Sequence, residues 1–426
     1  MLQSTDILKI AVLNTYVSTG GAARAAMRLN AGLRQAGLDL TTLSRATYSQ
    51  TVTGDNKKRN WWAWFLGCMN LLPCKFYPKR QLHNFSSNWM PDGLGMKLRR
   101  LSPDLIHLHW VGDGFLRIER LARCNIPIVW TLHDSWAFTG GCHLPGECHR
   151  YQKKCGYCSV LGSARENDLS RRVWSRKQIA WKDIHLTAVA PSRWLADCAR
   201  SSSLLRERRV EVIPNGIDVK TYLPGDSAAA RSALGLPLDR RLILFGAVHS
   251  LSDSNKGLDL LLSALAILDN SLQKKAELVL FGDRGDLDLQ GCGLPVRNLG
   301  VIAEESRLSL LYQAADLFVA PSRQENLPNM VLEAMACGTP CVAFDVGGLP
   351  DLIDHCINGY LARPFETMDL CRGISWVLAD ETRRLTMASL SREKIVSGFS
   401  LKHVARRYLD LYLELASGKG GADYDC

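Results

Sequence analysis

Short apolar runs and longer amphipathic runs alternate along the chain, and each pattern predicts a different element. The first half has five short apolar runs typical of strands buried on both faces, at 8–14, 105–109, 128–132, 186–190 and 209–213. Residues 22–36 have the composition of a helix that ends at Gly37, and a small-residue loop at 18–21 precedes them. Strand, loop and helix in this order predict a parallel α/β sheet.

The second half repeats the alternation. Strands are predicted at 241–246, 276–282, 298–301, 316–320 and 340–344, and helices at 258–269 and 307–315. The turn-rich sequence IPNGID at 213–218 separates the two series and predicts a hinge. We therefore expect two doubly wound domains, 1–215 and 216–400. An amphipathic helix at 401–416 is expected to cross back to the first domain, and 417–426 to form a disordered tail.

Length and composition narrow the class of protein. The 426 residues are 46% hydrophobic, enough for two large cores. The chain has no uncharged apolar run of about 18 residues, and its first residues lack the pattern of a secretory signal. These features favour a cytoplasmic protein, in which the 14 cysteines would be reduced thiols or metal ligands.

The charge is unevenly distributed. Residues 1–220 carry 32 Lys and Arg against 16 Asp and Glu, and the remainder carries 20 against 26. The net charges are therefore +16 and −6, which suggests a polyanionic partner for the first domain. No nucleic-acid-reading motif is recognised, so an anionic membrane surface is the favoured partner.

An aromatic and basic insertion at 57–89 supports this interpretation. It holds eight Trp, Phe and Tyr residues among six Lys and Arg, a mixture suited to lipid headgroups. Polybasic attraction adds about 1 kcal/mol per charge. The alternative is a helix pair whose aromatic side chains pack under the domain while the cations stay in solvent.

The most informative stretch is APSRQENLPNMVLEAMACGTPCVAFDVGG, residues 320–348. It reads as a strand end, a polar loop, a short helix and another buried strand. Glu325 falls in the loop and Glu333 in the second turn of the helix, because Pro328 is tolerated where a helix begins. Both carboxylates can face a ligand cleft at the carboxyl edge of a parallel sheet. Backbone N–H groups from Asn326 to Asn329 would point at an anion there.

These residues resemble the donor-site motif of retaining glycosyltransferases of family 4, which have the GT-B fold. The resemblance extends over most of the chain and includes bacterial enzymes of polysaccharide assembly. It implies two Rossmann-like domains that face a cleft. It also implies that Glu325 contacts the sugar of a nucleotide-sugar donor and Glu333 its ribose. Further donor contacts are expected from four neighbouring residues: Arg323, Asn326, Leu327 and Asn329.

Lys256 precedes Gly257 at the start of a predicted helix, where a lysine adds charge to an anion site. The resemblance implies that Lys256 neutralises the diphosphate of the donor. The family commonly has an arginine several residues earlier, but this chain reads AVHSLSD there. His249 or Arg323 are the candidates to replace it.

In the first half, a predicted strand ends at His133-Asp134. Histidine suits acid, base or neutral-donor roles near neutral pH. The resemblance places His133 beside the donor sugar and Gly20-Gly21 in a loop close to phosphate or acceptor. Arg193 follows another predicted strand, where it either meets the phosphates or serves as a surface residue.

The resemblance further implies front-face transfer with retention of configuration. His133, Lys256 and Glu325 are the candidate catalytic residues, and no cofactor or metal is required. The acceptor is expected to be a glycan or a lipid-linked oligosaccharide. The alternative hypothesis is that the protein is a catalytically silent scaffold of a polysaccharide-assembly complex. An epimerase and a phosphorylase of the same fold fit the motif less well.

Four cysteines between residues 142 and 158 form a separate candidate site. Cys155 and Cys158 have the CxxC spacing of half a tetrahedral zinc site, and Cys142 and Cys148 would complete it. His143 and His149 are alternative ligands. The other reading is a compact loop of reduced thiols that supports the strand end at His133.

Overall fold

The computed structural model describes residues 8–17, 20–45, 65, 67–81, 85–247, 253–282, 289 and 292–417. The chain forms two compact units. The first consists of Met1–Pro214 with Ala405–Cys426, and the second of Asn215–Val404. Each is an α/β structure, which confirms the predicted fold class.

The first unit is built on a sheet of six parallel strands. They are β1 Lys9–Leu13, β2 Asp39–Leu43, β3 Leu105–Leu108, β4 Ile128–Thr131, β5 Leu186–Ala190 and β6 Arg209–Val212, in the order β2-β1-β3-β4-β5-β6. Strands β3, β4 and β5 are buried along their whole length, as near-continuous apolar sequence requires in a parallel sheet. Strand β2 is absent from the sequence prediction, because two threonines interrupt its short apolar pattern.

Helices and short 3₁₀ segments accompany this sheet. The helices are α1 Gly21–Gln35, α2 Leu94–Leu101, α3 Leu169–Ala180 and α4 Arg193–Ser201. The 3₁₀ turns are Leu72–Phe76, Ile118–Arg123, Trp136–Phe138 and Arg150–Gln152. Helices α3 and α4 begin at side-chain caps, where Asp168 accepts from the N–H of Arg171 and Ser192 from that of Leu195.

The second unit has another sheet of six parallel strands. They are β7 Arg241–Gly246, β8 Ala276–Phe281, β9 Val296–Asn298, β10 Leu317–Ala320, β11 Cys341–Phe344 and β12 Gly359–Ala362, in the order β12-β11-β10-β7-β8-β9. This is the strand order of a Rossmann sheet, and the direction of winding reverses between β7 and β10. The loops that follow β7 and β10 therefore flank the usual ligand position of such a sheet.

The helices of the second unit are mostly short. They are α5 Ser227–Leu234, α6 Leu258–Ala266, α7 Asn270–Lys275, α8 Glu305–Ala314, α9 Asn329–Ala336, α10 Leu349–Leu352, α11 Thr367–Ala379 and α12 Glu381–Gly398, with a 3₁₀ turn at Ser254–Lys256. The strand predicted at 298–301 is wrong, because pairing with β8 runs from Val296 to Asn298. The helix predicted to reach residue 269 ends at Ala266, and Asp269 instead caps α7 by accepting from the N–H of Ser271.

The last helix, α13 Leu401–Ser417, packs on the first unit as predicted. The Tyr408 hydroxyl lies 2.7 Å from Thr131 Oγ1, and the Tyr412 hydroxyl lies 2.7 Å from His107 Nδ1. Residues 418–426 and most of the segment before residue 67 that was predicted to dock on membranes lie outside the described residues. Within the described part of the chain, no helix has both the length and the apolar character needed to cross a bilayer.

Candidate active site

The loops that follow β7 and β10 are joined by hydrogen bonds around Asn255. The N–H of Arg323 donates to the Asn255 carbonyl at 2.8 Å. The Asn255 side chain donates to the Gln324 carbonyl at 2.9 Å and accepts from the Gln324 N–H at 3.1 Å. The two loops therefore form one structural element at the point where the sheet reverses.

Two glycines allow the backbone to approach closely at this place. At Gly257, with φ of +71°, an added Cβ would lie 2.0 Å from the carbonyl oxygen of Pro321. At Gly347, with φ of +56°, an added Cβ would lie 1.9 Å from the carbonyl oxygen of Glu325. A larger residue at Gly257 would push apart the loops that carry Lys256 and Glu325, and a larger residue at Gly347 would displace the Glu325 loop from the loop after β11.

The predicted lysine and the predicted sugar-binding carboxylate contact each other. Lys256 Nζ lies 2.5 Å from Glu325 Oε1, which also accepts a hydrogen bond of 3.0 Å from Ser322. Burial opposes the ammonium charge, but the Glu325 carboxylate more than compensates, so the pKa of Lys256 is raised. Both side chains remain partly exposed. A cation and a carboxylate at one sheet edge can bind a ligand that carries both anionic groups and hydroxyls.

Glu333 lies on helix α9 and is only 1% exposed. Tyr312 of α8 donates a hydrogen bond of 2.9 Å to Glu333 Oε2. Because a tyrosine hydroxyl fixes one oxygen of this carboxylate, the orientation of the other is also fixed. Sequence reasoning missed Tyr312, which reads as an ordinary apolar position of an amphipathic helix.

Arg323 is engaged in a two-point ion pair with Asp259 at the start of α6, with N–O distances of 3.0 and 2.6 Å. It also donates to the Ser254 carbonyl. The arginine expected to assist Lys256 is thus held by a carboxylate on another element. The alternative candidate, His249, lies outside the described residues.

The residues before α9 surround its N-terminus. The Leu327 side chain is 5% exposed, so it is part of the core and only its backbone is available to a ligand. Asn215 donates to the Leu327 carbonyl at 3.4 Å and lies 3.3 Å from Asn329 Oδ1. Asn326 occupies the same loop.

In the first unit, three groups of predicted residues follow the carboxyl ends of strands. Gly20 and Gly21 follow β1, His133 follows β4, and Arg193 follows β5. Gly20 has φ of +91° and precedes α1 without a side-chain cap, which leaves the first N–H groups of the helix to other partners. Arg193 is exposed at the first position of α4. All of them therefore lie at one edge of the first sheet.

His133 is half-buried, and its Nε2 lies 2.9 Å from Nδ1 of His109. Burial lowers the pKa of His133 to about 4, although the neighbouring Asp134 opposes the shift. The histidine is therefore neutral at pH 7 and can serve as a hydrogen-bond donor or acceptor, not as a charged acid.

Asp134 anchors a hydrogen-bonded chain of side chains. Its Oδ2 lies 2.7 Å from His143 Nδ1, and His143 Nε2 lies 2.9 Å from the Ser86 hydroxyl. Burial disfavours the Asp134 carboxylate, but His143 and the donors Trp136 N–H and Trp110 Nε1 outweigh it and lower the pKa of Asp134. Ser86 is fully buried, so this chain orients Asp134 and does not present a nucleophile.

The four cysteines of the candidate zinc site are reduced, and three of them are buried. Burial raises the pKa of Cys155 to about 12 and that of Cys142 well above its usual range. Metal ligation requires thiolates. Within the described ranges, no three His, Cys, Asp or Glu side chains are grouped so that they could hold a metal ion. Zinc binding by these cysteines therefore stays a prediction. His143, an alternative ligand, is instead bound to Asp134 and Ser86.

Sequence reasoning assigned no role to His107 and His109. They occupy alternate positions at the end of a predicted buried strand, and two polar residues in such a run are a signal of a hydrogen-bonded arrangement. The same reasoning also missed Asp259, whose partner lies 64 residues away.

Two protein-family models match the chain. The model described as Glycosyltransferase Family 4 matches residues 19–221. The model described as Glycosyl transferases group 1 matches residues 240–380. The two matches correspond to the first and second units.

Similar proteins are found by sequence. The D-inositol 3-phosphate glycosyltransferase of Saccharomonospora viridis is 32% identical over 341 residues, which are 75% of this chain and 72% of that protein. The protein of the same name from Nocardia farcinica is 27% identical over 328 residues, which are 72% of this chain and 66% of that protein.

Similar solved structures have the same fold. Sucrose-phosphate synthase from Thermosynechococcus elongatus has a TM-score of 0.71 at 20% identity and covers 97% of this chain and 100% of that one. Anabaena HepE in complex with UDP has a TM-score of 0.62 at 19% identity and covers 96% of this chain and 100% of that one. Two Rossmann-like units of this kind define a protein of the GT-B fold. The chain belongs to the group 1 and family 4 glycosyltransferases.

Proposed function

We propose that this glycosyltransferase uses a nucleotide-sugar donor, retains the configuration of the transferred sugar and needs no metal for the transfer. The observation that carries the proposal is the contact of Lys256 with Glu325 at the reversal of the second sheet. An ammonium group suits the diphosphate of such a donor, and a carboxylate suits the hydroxyls of its sugar. The complex of the similar HepE structure with UDP is in keeping with this donor class.

The contact of Lys256 with Glu325 has a consequence for donor binding. A donor diphosphate would compete with Glu325 for the Lys256 ammonium, because both are anionic. When the diphosphate takes Lys256, the Glu325 carboxylate becomes available to accept hydrogen bonds from the sugar. The ion pair thus holds both groups close to their places before the donor binds.

Transfer then proceeds on one face of the sugar. The acceptor oxygen forms a bond to the anomeric carbon while the bond from that carbon to the diphosphate oxygen breaks. The acceptor proton passes to the departing diphosphate oxygen, so the products are the glycoside and a nucleoside diphosphate. Lys256 and the N–H groups preceding α9 stabilise the charge that develops on the leaving group.

The remaining roles are those that the family resemblance implies. Glu333 accepts hydrogen bonds from the ribose, and Asn326 and Asn329 contact the donor near the N-terminus of α9. His133 donates a hydrogen bond to the donor sugar. Gly20 and Gly21 allow phosphate or acceptor to approach the backbone, and Arg193 adds a positive charge at the same edge of the first sheet.

The acceptor is proposed to be a glycan or a lipid-linked oligosaccharide of cell-surface polysaccharide synthesis. The net charge of +16 on residues 1–220 supports an anionic acceptor or an anionic membrane surface. The name of the similar actinobacterial proteins indicates a phosphorylated polyol acceptor for them. Inositol phosphate therefore belongs in the acceptor screen. Cytoplasmic location and membrane docking stay predictions.

The reaction itself tests the proposal. With its donor and acceptor, the enzyme should give a product whose anomeric configuration matches that of the donor, as read from the anomeric ¹H NMR coupling. Treatment with EDTA should change the initial rate by less than about twofold, because Lys256 and backbone amides supply the positive charge. An inverted product, or loss of activity that added metal restores, would contradict the mechanism.

Tyr312→Phe should weaken nucleotide binding. The change leaves one oxygen of the buried Glu333 carboxylate without its donor, and such losses cost about 1–3 kcal/mol. We expect the donor KM to rise roughly tenfold and kcat to change less than threefold, since the ribose is remote from the reacting bond. Tyr360→Phe is the matched control, because it removes a similar hydroxyl–carboxylate hydrogen bond, to Asp369, at another place. Equal effects of both variants would disprove the role of Tyr312.

A catalytically silent scaffold is the second candidate. The chain lacks the expected arginine after β7, and Arg323, which might replace it, is paired with Asp259. A protein that binds the nucleotide sugar yet releases no nucleoside diphosphate with any acceptor, glycan or lipid, would support this alternative.

A further inference from the structure

Three histidines, of which His107 and His109 are buried and His133 is half-buried, lie side by side at the carboxyl ends of β3 and β4. The ring centroids of His107 and His109 are 4.1 Å apart, and those of His109 and His133 are 5.2 Å apart. Burial lowers the pKa of His107 to about 3 and of His133 to about 4, and it lowers that of His109 well below its usual value. Each ring therefore carries one proton at neutral pH, on one of its two nitrogens.

The ring of His107 packs against one side of His109 and is held in place by hydrogen bonds. Its Nδ1 lies 2.7 Å from the Tyr412 hydroxyl and its Nε2 lies 2.8 Å from Thr131 Oγ1. Thr131 in turn contacts the Tyr408 hydroxyl at 2.7 Å. Both nitrogens of His107 are thus used, and the last helix, α13, holds its ring in place.

His109 is held independently of its ring. The Trp130 indole N–H donates to the His109 carbonyl at 3.0 Å, so the backbone conformation does not depend on the imidazole. The side chain is 2% exposed and lies between His107 and His133. The ring confined in this way contacts His133 through Nδ1.

The contact between His109 Nδ1 and His133 Nε2 needs one proton between the two nitrogens, and there are two ways to supply it. If His133 Nε2–H donates, then the proton of His109 sits on Nε2. That nitrogen is buried and has no hydrogen-bond partner among the residues that the structure describes. If His109 Nδ1–H donates, then its Nε2 is a bare lone pair. A buried N–H group without an acceptor is rarer than a buried acceptor without a donor, and it costs about 1–3 kcal/mol. The second arrangement is therefore favoured.

We propose that His109 is a positioning residue that donates Nδ1–H to His133 Nε2 and thereby keeps the proton of His133 on Nδ1. This inference rests on the proposed function, in which His133 contacts the donor sugar. It deepens that function by assigning the tautomer. In this tautomer Nδ1–H is the donor of the His133 ring, and Nε2 is occupied by His109 and unable to accept a proton from the acceptor hydroxyl.

The first test needs no substrate. The full chain is labelled with ¹⁵N-histidine, and long-range ¹H–¹⁵N correlation spectra separate protonated from bare ring nitrogens. Spectra of His109→Asn and His133→Asn assign the two rings. We expect His109 and His133 both to carry the proton on Nδ1 throughout pH 6 to 8. A proton on His133 Nε2 would overturn the proposal.

The second test separates the proton from the packing. In His109→Asn, the side-chain amide places an N–H donor near the position of Nδ1, whereas His109→Leu fills space without a donor. We expect His109→Leu to lower kcat/KM at least tenfold and His109→Asn to stay within about threefold of the natural protein. His185→Asn, at an exposed position of the same unit, is the control. Equal losses in the Asn and Leu variants would overturn the positioning role.

These outcomes are distinct from failure of the proposed function. Lack of glycosyl transfer in every assay would contradict that function but would leave the NMR result intact. A His133 Nε2–H signal in an active enzyme would contradict only the tautomer assignment. If the Leu variant does not fold, the NMR spectrum of the natural sequence still decides the proposal.

Discussion

Glu325→Ala is expected to lower kcat/KM with the correct donor by about 10²–10³-fold. The variant loses a carboxylate placed to bind the donor sugar, and losses of one positioned polar group in an active site have this size. It also removes the partner 2.5 Å from Lys256. Glu325→Gln should recover little, because an amide does not replace the negative charge that holds Lys256. Steady-state release of nucleoside diphosphate measures the effect.

Glu304→Gln is the matched control for this experiment. Glu304 is an exposed glutamate of the same unit, directly before α8, and it is remote in sequence from both loops. Its replacement should leave kcat/KM within twofold. Undiminished turnover of folded Glu325→Ala would show that the donor site has been assigned to the wrong residues.

Acidification below about pH 6.5 is expected to destabilise the first unit strongly. In the folded chain His107, His109 and His133 are neutral rings with lowered pKa values, whereas in the unfolded chain they take up protons near pH 6.5. Between pH 6.5 and the lowered pKa values of the folded chain, the unfolded state binds more protons than the folded state. The stability that the three neutral rings contribute is therefore present above pH 6.5 and is lost as the pH falls. Each histidine costs up to about 1.4 kcal/mol per pH unit, or roughly 4 kcal/mol for three at pH 5.5.

Calorimetric unfolding at pH 7.5, 6.5 and 5.5 measures this effect. His107→Gln removes one titrating ring and should reduce the acid-induced loss of stability by about a third, whatever its effect at pH 7.5. His185→Gln removes an exposed histidine and should leave the pH dependence unchanged. Equal pH dependence in the natural protein and His107→Gln would mean that His107 titrates alike in the folded and unfolded chain.

The sequence predicted the central strands well because burial on both faces requires continuous apolar runs. Predicted and observed bounds of β4, β5, β7 and β10 agree within one residue at either end. Edge strands were less predictable. The sequence DLTTL of β2 and GYLA of β12 are short and interrupted, and the three-residue β9 was placed two residues too late. Pairing at a sheet edge depends on neighbours that a linear pattern does not identify.

The candidate site likewise combines residues that the sequence pattern predicts with contacts that it does not predict. Lys256, Glu325 and Glu333 were proposed from their motifs, but the ion pair of the first two depends on β7 and β10 being neighbours across the sheet. The pairing of Arg323 with Asp259 and the hydrogen bond of Tyr312 to Glu333 connect separate elements in the same way. The cysteine spacing left a zinc site and a loop of reduced thiols open, and burial raises the pKa of Cys142 and of Cys155, which the spacing alone does not predict.

The most direct test of the account is a thermal-shift screen with UDP, GDP, ADP and their common sugar conjugates. One nucleotide family at 100 times its Kd should stabilise the natural protein by about 2.7 kcal/mol, a shift of roughly 5 to 10 °C. Lys256→Met should abolish most of that shift and Lys274→Met, at an exposed site, should preserve it. A well-folded protein that none of these ligands stabilises, or equal shifts in both variants, would contradict a donor site built on Lys256 and Glu325.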